Sequence, residues 1–482
     1  MEKIYTTGVI GGGVSGAVTA LQLAKNGIDS VLFEKEKSLV NGPPFCHLHA
    51  GGNLYPDISD EQCKTLLKQS IEMAKLFPQS IDERPTFISV PKTENYTVEK
   101  IVNRLDTLVE HYKILIAEDP SNEILGNPGD YYRLYEEEDL NNLRDLPSIQ
   151  NPKTIDEWLL NASKIIDYSK LKFPIIMVQE YGWNLFRLGA QAQLALEKTD
   201  KCVLKTDTQV AKIKDVRFKK LDYNWEIHTT NEVFKIKYLV NSCGFKTGTF
   251  DDSLNLQAKR LVEFKASYVS KWKNPVGLIP EIIFHGERGT PHGMAQLTPY
   301  RDNHFQIHGM TEDITLFKEG LIQAKPGKMH PNFVQDIEEK LEKGWSEIDT
   351  NERTHKAIGY VANFIPSFET AEVAGPPLYG AQQIPGSDPS LRVGEVSFPM
   401  PFYARSEIIK ASSALTVANQ IIDKMHEERI IKFEENGLAE NSLLSQTNKI
   451  EIDKLAEKFA VMRGYPAPIA QLVAERHDGV LV

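Results

Sequence analysis

Cysteine is scarce in this sequence: Cys46, Cys63, Cys202 and Cys243 are the only four in 482 residues. None stands in a C-x-x-C pair, which excludes a thiol redox couple of that spacing, and so few give no disulfide framework. A reducing, cytoplasmic compartment is expected. Long apolar runs are missing too. No stretch reaches the roughly 18 residues a spanning helix needs. Basic residues are in deficit, 55 Lys and Arg against 66 Asp and Glu, for a formal net charge of -11. A surface built for nucleic-acid phosphates should be basic, so nucleic acid is not an expected partner. Internal repeats and low-complexity tracts are absent. The remainder, 41% hydrophobic and 25% charged, is ordinary globular composition. A chain of this length calls for two or more domains.

Glycine, by contrast, is placed with care at the N-terminus. Residues 4–36 read as a short apolar strand, a Gly-rich turn, a helix, a second strand and an acid. Gly11, Gly13 and Gly16 satisfy G-x-G-x-x-G. In that pattern Gly11 permits the tight turn, Gly13 lets the backbone approach a pyrophosphate, and Gly16 lets the helix lie close to the sheet. Val14 and Ser15 stand at the helix start, where free N–H groups attract phosphate. Gly27 ends the helix. Glu34 closes the second strand where a carboxylate would meet the ribose hydroxyls, with Lys35 beside it. The same segment mimics a signal peptide, but the spacing of its glycines is better explained by dinucleotide binding. A second fingerprint, as a separate NAD domain would require, does not occur. The reading is an FAD protein reduced directly by a bound substrate. An NAD-dependent dehydrogenase and a flavoprotein with structural FAD are the competing classes.

Four blocks then carry a family resemblance. They are the N-terminal fingerprint, residues 202–248 with "YLVNSCGFKTG", residues 295–316, and the stretch from Pro366 to "YARSEIIKASSALTVANQII". Together they resemble the D-amino acid oxidase / glycerol-3-phosphate dehydrogenase superfamily of FAD-dependent oxidoreductases. That superfamily includes L-2-hydroxyglutarate dehydrogenase, malate:quinone oxidoreductase and dimethylglycine dehydrogenase-like proteins. The resemblance implies an α/β Rossmann-like FAD domain interleaved with an antiparallel-sheet substrate domain. Residues 1–80, 175–255 and 355–425 are expected in the first, 81–174 and 256–354 in the second, and 426–482 in a helical extension. It further implies that Val210 lies at the adenine and that Cys243 and Gly244 form the turn beside FAD, Cys243 as a buried filler. Ile408, Ile409, Leu415, Ala418 and Ile422 repeat at helical spacing as a closing helix. The family's Gly-rich turn before that helix is replaced by "FPMPFYARSE", and Arg405 is the candidate for its positive charge.

Oxidising a C–H bond beside a hydroxyl or amine requires a proton acceptor and an anchor for the substrate, while the flavin supplies the hard step. Histidine suits the first role and arginine suits a carboxylate. The histidine candidates are His47, His49, His285, His292, His304 and His308. His292, just before the 295–316 block, is favoured as base. His308, on a strand of alternating pattern, is read as a satisfied core or surface histidine and His304 as a solvated turn residue. Arg405 and Arg301 are the favoured anchors, with Arg187 read as a helix-surface charge. The expected reaction is hydride transfer from a small 2-hydroxy acid, with an amino acid or N-methyl amine as the alternative. Quinone or oxygen would accept the electrons, and peripheral membrane contact would follow the quinone-reducing relatives.

The stretch "NGPPFCHLHAGGNLYP" gathers Cys46, His47 and His49 like a metal site. Adjacent side chains diverge, however, and no second cluster follows at ligand spacing, so no metal is expected. "HAGG" resembles the family's His-(Ala/Ser)-Gly turn. By that resemblance His49, Ala50, Gly51 and Gly52 contact the flavin, and in dimethylglycine-type relatives such a histidine holds FAD covalently.

Overall fold

The computed structural model describes residues 3–43, 58–432 and 443–474. The turn at His49–Gly52, with Cys46 and His47, lies outside the described residues. Two large sheets organise the chain. The first has a parallel core in the spatial order Tyr403–Glu407, Val233–Asn241, Ile4–Ile10, Ser30–Phe33, Cys202–Lys205. Glu395–Met400 adds an antiparallel edge, and the hairpin Val210–Asp215 with Trp225–Thr229 pairs onto Val233–Asn241.

The strands of this core are covered on both faces, so they read as apolar runs rather than alternations. Ser30–Phe33 is buried throughout. The crossover helix Val14–Lys25 presents Ala17, Ala20 and Ala24 at close spacing and buries nearly its whole length. It packs between helices Leu185–Lys198 and Ala414–Glu427. Small side chains let those backbones approach.

The second sheet runs Leu321–Gln323, Arg260–Lys271, His304–Gly309, Ala295–Pro299, Glu281–Phe284, Thr86–Pro91, Leu171–Val178, Tyr132–Tyr135. It is antiparallel except where Glu281–Phe284 meets Thr86–Pro91. Its long central strand Arg260–Lys271 alternates. Val262, Phe264, Ala266 and Tyr268 enter the hydrophobic clusters that helices Gln335–Lys343 and Glu347–Ala362 help to close, while Glu263 and Lys265 take the other face. The period of two fixes which side chains face the cavity described below.

The chain enters each sheet several times, and two expected boundaries shift. Leu378–Pro385 pairs residue by residue with Arg260–Ser267, so it belongs to the second sheet and not to the 355–425 segment of the first. Leu171–Val178 crosses the boundary at 174/175 and pairs with Thr86–Pro91. An apolar strand carries no mark of which of two sheets it will join. Arg187 departs from expectation as well. It is 2% exposed, because helix Lys449–Met462 lies over it. Its Nε donates to the Gln79 carbonyl at 2.6 Å, and Nη1 meets Asp453 at 2.5 Å. Among the described residues, no helix is long and apolar enough to cross a membrane.

Candidate functional site

The Gly-rich turn forms as its spacing predicts. Gly11 adopts φ +98°, and a Cβ there would stand 2.4 Å from the Ser242 carbonyl oxygen. A Cβ on Gly16 would stand 1.8 Å from the Gly11 carbonyl oxygen. Those two glycines are demanded by packing. Gly13 differs, for a Cβ there would meet nothing within 4 Å. It opens onto a cavity and precedes helix Val14–Lys25 without a side-chain cap. The bare helix start and its dipole suit an anion. Ser15 lines the same cavity and shares a 2.5 Å hydrogen bond with Ser406, tying the helix start to the strand Tyr403–Glu407.

Glu34 stands at the end of the second strand, 7% exposed and lining the cavity. One carboxylate oxygen accepts from the Gly12 N–H at 2.7 Å, the other from the Glu36 N–H at 2.9 Å. Burial nonetheless raises its pKa above the ordinary carboxylate value, against those two bonds. Lys35, Val210, Cys243 and Gly244 line the same end. Gly244 takes φ +59°. The Cys243 thiol points at the Ile10 carbonyl at 3.4 Å, and burial, then the Glu34 carboxylate, push its pKa up, so it remains a protonated filler.

The cavity is large, about 1340 Å³, and passes from this turn to the face of the second sheet. A single small-ligand site occupies roughly 300–1,000 Å³. A dinucleotide with a substrate beyond it therefore fits. The far wall carries Lys265, Gln296, His308, Tyr379 and Trp345, and the rim carries Tyr96, His285, Glu287 and Arg288. Gln296 and His308 are cross-strand partners on Ala295–Pro299 and His304–Gly309. His285 is 4% exposed and stacks on Tyr96 with centroids 5.1 Å apart. Burial raises the Tyr379 pKa, so its hydroxyl stays protonated at neutral pH.

Three favoured catalytic residues lie elsewhere. His292 sits exposed in the turn before Ala295, outside the cavity lining. His308, by contrast, lines the cavity from the strand His304–Gly309. Arg301 donates its Nε to the Leu472 carbonyl at 2.6 Å and holds the C-terminal segment. Arg405 is in the strand Tyr403–Glu407, not at a helix start, and makes ion pairs with Asp251 at 2.9 Å and Glu407 at 3.2 Å. The helical spacing of Ile408 and Ile409 is accidental, since the helix begins only at Ala414. His304 is 6% exposed with Nδ1 3.3 Å from the Arg301 carbonyl, where a solvated turn was expected.

The cation the closing segment brings to the cavity is instead Lys410, just before the short turn Ala411–Ser413 that leads into helix Ala414–Glu427. Arg392 and Lys265 stand near it. Neither Lys410 nor Lys265 nor Arg392 was singled out in the sequence. A lysine directly before a helix start was the available signal for Lys410. Lys265 was legible only as a charge inside an alternating strand. Among the described residues, no three His, Cys, Asp or Glu gather to hold a metal.

An NAD(P)-binding Rossmann-like domain family matches residues 9–40. Comparison with curated proteins finds no sequence match. Solved structures match over nearly the whole chain at low identity. Glycine oxidase from Geobacillus kaustophilus is 12% identical, covers 92% of this chain and 99% of its own, and has a TM-score of 0.54. L-amino acid deaminase from Proteus vulgaris is also 12% identical, with coverages of 92% and 97% and a TM-score of 0.56. L-alpha-glycerophosphate oxidase from Mycoplasma pneumoniae, a structure with FAD bound, is 14% identical, with coverages of 91% and 98% and a TM-score of 0.51. The chain thus shares the overall fold of these solved structures.

Proposed function

We propose that this protein is an FAD-dependent oxidoreductase acting on a small acidic amine, an amino acid or N-substituted amino acid, in preference to a 2-hydroxy acid. The observation that carries the flavin is the Gly13 opening at a helix start, continuous with a cavity too large for one small ligand. Glycine oxidase and amino acid deaminase among the similar folds favour the amine over the hydroxy acid. Gly13, Val14 and Ser15 would hold the pyrophosphate, Glu34 the ribose, and Val210 the adenine. His49, Ala50, Gly51 and Gly52 remain candidates for the ring. An FAD held there would supply the hydride-accepting chemistry, with quinone or oxygen as the final electron acceptor.

The chain's own groups bind, orient and handle protons. Lys410 and its neighbouring cations anchor the substrate carboxylate by charge-assisted hydrogen bonds. His308, beside Gln296 on the second sheet, takes the proton that leaves the substrate nitrogen. Trp345 and Tyr379 supply an apolar wall that excludes water from the reacting carbon and strengthens those charge interactions.

Purified protein tests the reading. A yellow protein with flavin absorbance is expected, bleached anaerobically by members of an amino acid and N-methyl amino acid panel. A colourless protein that does not take up FAD would overturn the flavin assignment. Bleaching by 2-hydroxy acids alone would overturn the amine.

A further inference from the structure

The cavity touches five consecutive residues of the strand Leu378–Pro385, from Tyr379 to Gln383. Successive residues of a strand face opposite sides of its sheet, so the cavity runs along an edge of this strand and reaches both faces. Among the described residues that strand pairs only with Arg260–Lys271, which leaves the other edge free. The register tells what each face carries. Lys265 lies opposite Gly380, on the face of the proposed carboxylate anchor. Ala266 lies opposite Tyr379, and Phe264 opposite Ala381, on the other. A Cβ at Gly380 would stand 2.6 Å from the Pro43 ring. With glycine there, only backbone parts the two lobes.

The second lobe is aromatic. Phe245, Leu341, Trp345 and Tyr379 line it, and all four pack on the buried cluster that contains Phe264 and Ala381. Trp345 stands between helices Gln335–Lys343 and Glu347–Ala362, just after Gly344, which turns the chain at φ +85°. Its ring stacks on Phe264 with centroids 6.4 Å apart and 21° between the planes. It meets Tyr268 at 6.2 Å, and Phe317 and Tyr379 each at 5.9 Å. Lys340 Nζ lies 5.4 Å from the same ring centroid. Rings at such spacings hold one another in place, so this wall is preformed. Among the described residues the Tyr379 hydroxyl has no hydrogen-bond partner, and it is not sealed from the cavity. A fixed apolar wall facing water is unfavourable until apolar surface covers it. A carboxylate held near Lys410 and Lys265 leaves the rest of a ligand free to pass the Gly380 edge and do so. A side chain as small as that of glycine or alanine would leave Trp345 and Tyr379 facing water.

We infer that the second lobe is the pocket for the substrate's side chain, and that this side chain is a large flat one, an aromatic ring lying against Trp345 and Tyr379. The reacting centre is taken from the proposed function, while the preference for a ring stands on the lobe itself.

The test uses the purified flavin-loaded protein in two arms. In the first, 3-phenylpropionate and 3-indolepropionate are compared with butyrate by perturbation of the flavin absorbance and by calorimetry. The aromatic acids are expected to bind about tenfold more tightly or better, since a single methylene in a fitted apolar pocket is already worth about that factor. In the second, phenylalanine, tyrosine and tryptophan are compared with alanine and glycine by the rate of anaerobic flavin reduction, each chiral acid as both enantiomers. The same order is expected. Trp345→Ala, and separately Leu341→Trp, which fills the lobe, should lose most of the preference while flavin absorbance is retained. Equal affinity for 3-phenylpropionate and butyrate in the unmodified protein would overturn the inference, whatever the variants do, and so would a preference kept in full by both variants. Bleaching by none of the amino acids, or a protein without flavin, would instead fail the proposed function, and calorimetry of the acids, which needs no turnover, still decides the lobe.

Discussion

Arg405 Nη1 lies 2.9 Å from the Asp251 carboxylate in a pair almost sealed from solvent, the two side chains being 5% and 0% exposed. The Tyr403 hydroxyl donates to the same carboxylate at 2.5 Å, and Glu407 links Arg405 to Arg260. This network stitches helix Thr247–Ser253 to the strand behind the nucleotide end of the cavity. Its charge is committed to structure. Removing one partner leaves the other buried and uncompensated, which costs roughly 3–5 kcal/mol. Asp251→Ala should therefore lower the unfolding free energy by about that amount, read from the shift of the denaturant midpoint. The flavin spectrum of the fraction that folds should not change. A stable variant with a shifted spectrum would return Arg405 to the site.

The two glycines of the turn make opposite demands. At Gly16 an added methyl collides with the Gly11 carbonyl, whereas at Gly13 it enters open space. Gly16→Ala is expected to disrupt the turn and lose several degrees of thermal stability with or without flavin. Gly13→Ala should fold normally and bind FAD at least tenfold more weakly, since its methyl occupies room reserved for phosphate. Thermal melts with and without added FAD separate the two outcomes.

How much of this was legible in the sequence divides along a physical line. The fingerprint, the hairpin at 295–309 and the turn at Gly244 depend on contacts near in sequence, and periodicity or glycine spacing exposes them. Leu378–Pro385, Arg187 and His292 depend on what arrives from far along the chain. No local pattern says that helix Lys449–Met462 will cover Arg187, or that His308 and not His292 will face the cavity. The cation cluster is the extreme case, with members at 265, 392 and 410 on three elements. Each looks like an ordinary surface charge until the sheets are assembled. His49 and its neighbours lie outside the described residues, so the flavin-contact expectation for them passes to acid precipitation, where a covalent flavin would pellet with the protein.

Lys265 gives the site a pH dependence of definite sign. Its ammonium is pushed down to about 7 by burial and by Arg392, with Lys410 adding repulsion and Glu263 on its own strand opposing. As pH rises through that value the ligand-free site loses a positive charge. Anion affinity should fall from pH 6 to pH 8.5, and binding in the upper half of that range should take up a proton. Calorimetry in two buffers of different ionisation enthalpy reads the uptake directly. Lys265→Gln should flatten the profile over this window, and an unchanged profile would move the titration to another group.

Arg463 reaches from the end of helix Lys449–Met462 to the segment that enters the flavin side. Its guanidinium donates to the carbonyls of Asn41 and Gly42 at 3.2 and 2.9 Å and lies over the rings of Phe186 and Tyr465. Hydrogen bonds from a charged donor contribute about 1.5–3 kcal/mol. Arg463→Ala should weaken FAD retention about tenfold while leaving the two sheets intact by circular dichroism. Arg463→Lys, which keeps the charge but not the fork, should recover only part of it. Full retention in both variants would show that the C-terminal segment covers the cavity without shaping it.

The histidine assignment is open to a direct comparison. His308 lines the cavity beside Gln296, and His292 is exposed on a turn outside it. General base catalysis by a positioned side chain is worth roughly 10²–10⁴-fold. His308→Gln should slow anaerobic flavin reduction by the best substrate of the panel by about that factor, with the FAD content unchanged. His292→Gln should leave the rate within twofold. If His308→Gln is also within twofold, the substrate nitrogen reaches the site already deprotonated, and the rate of the unmodified enzyme should then rise with pH along the free amine fraction of the substrate in solution.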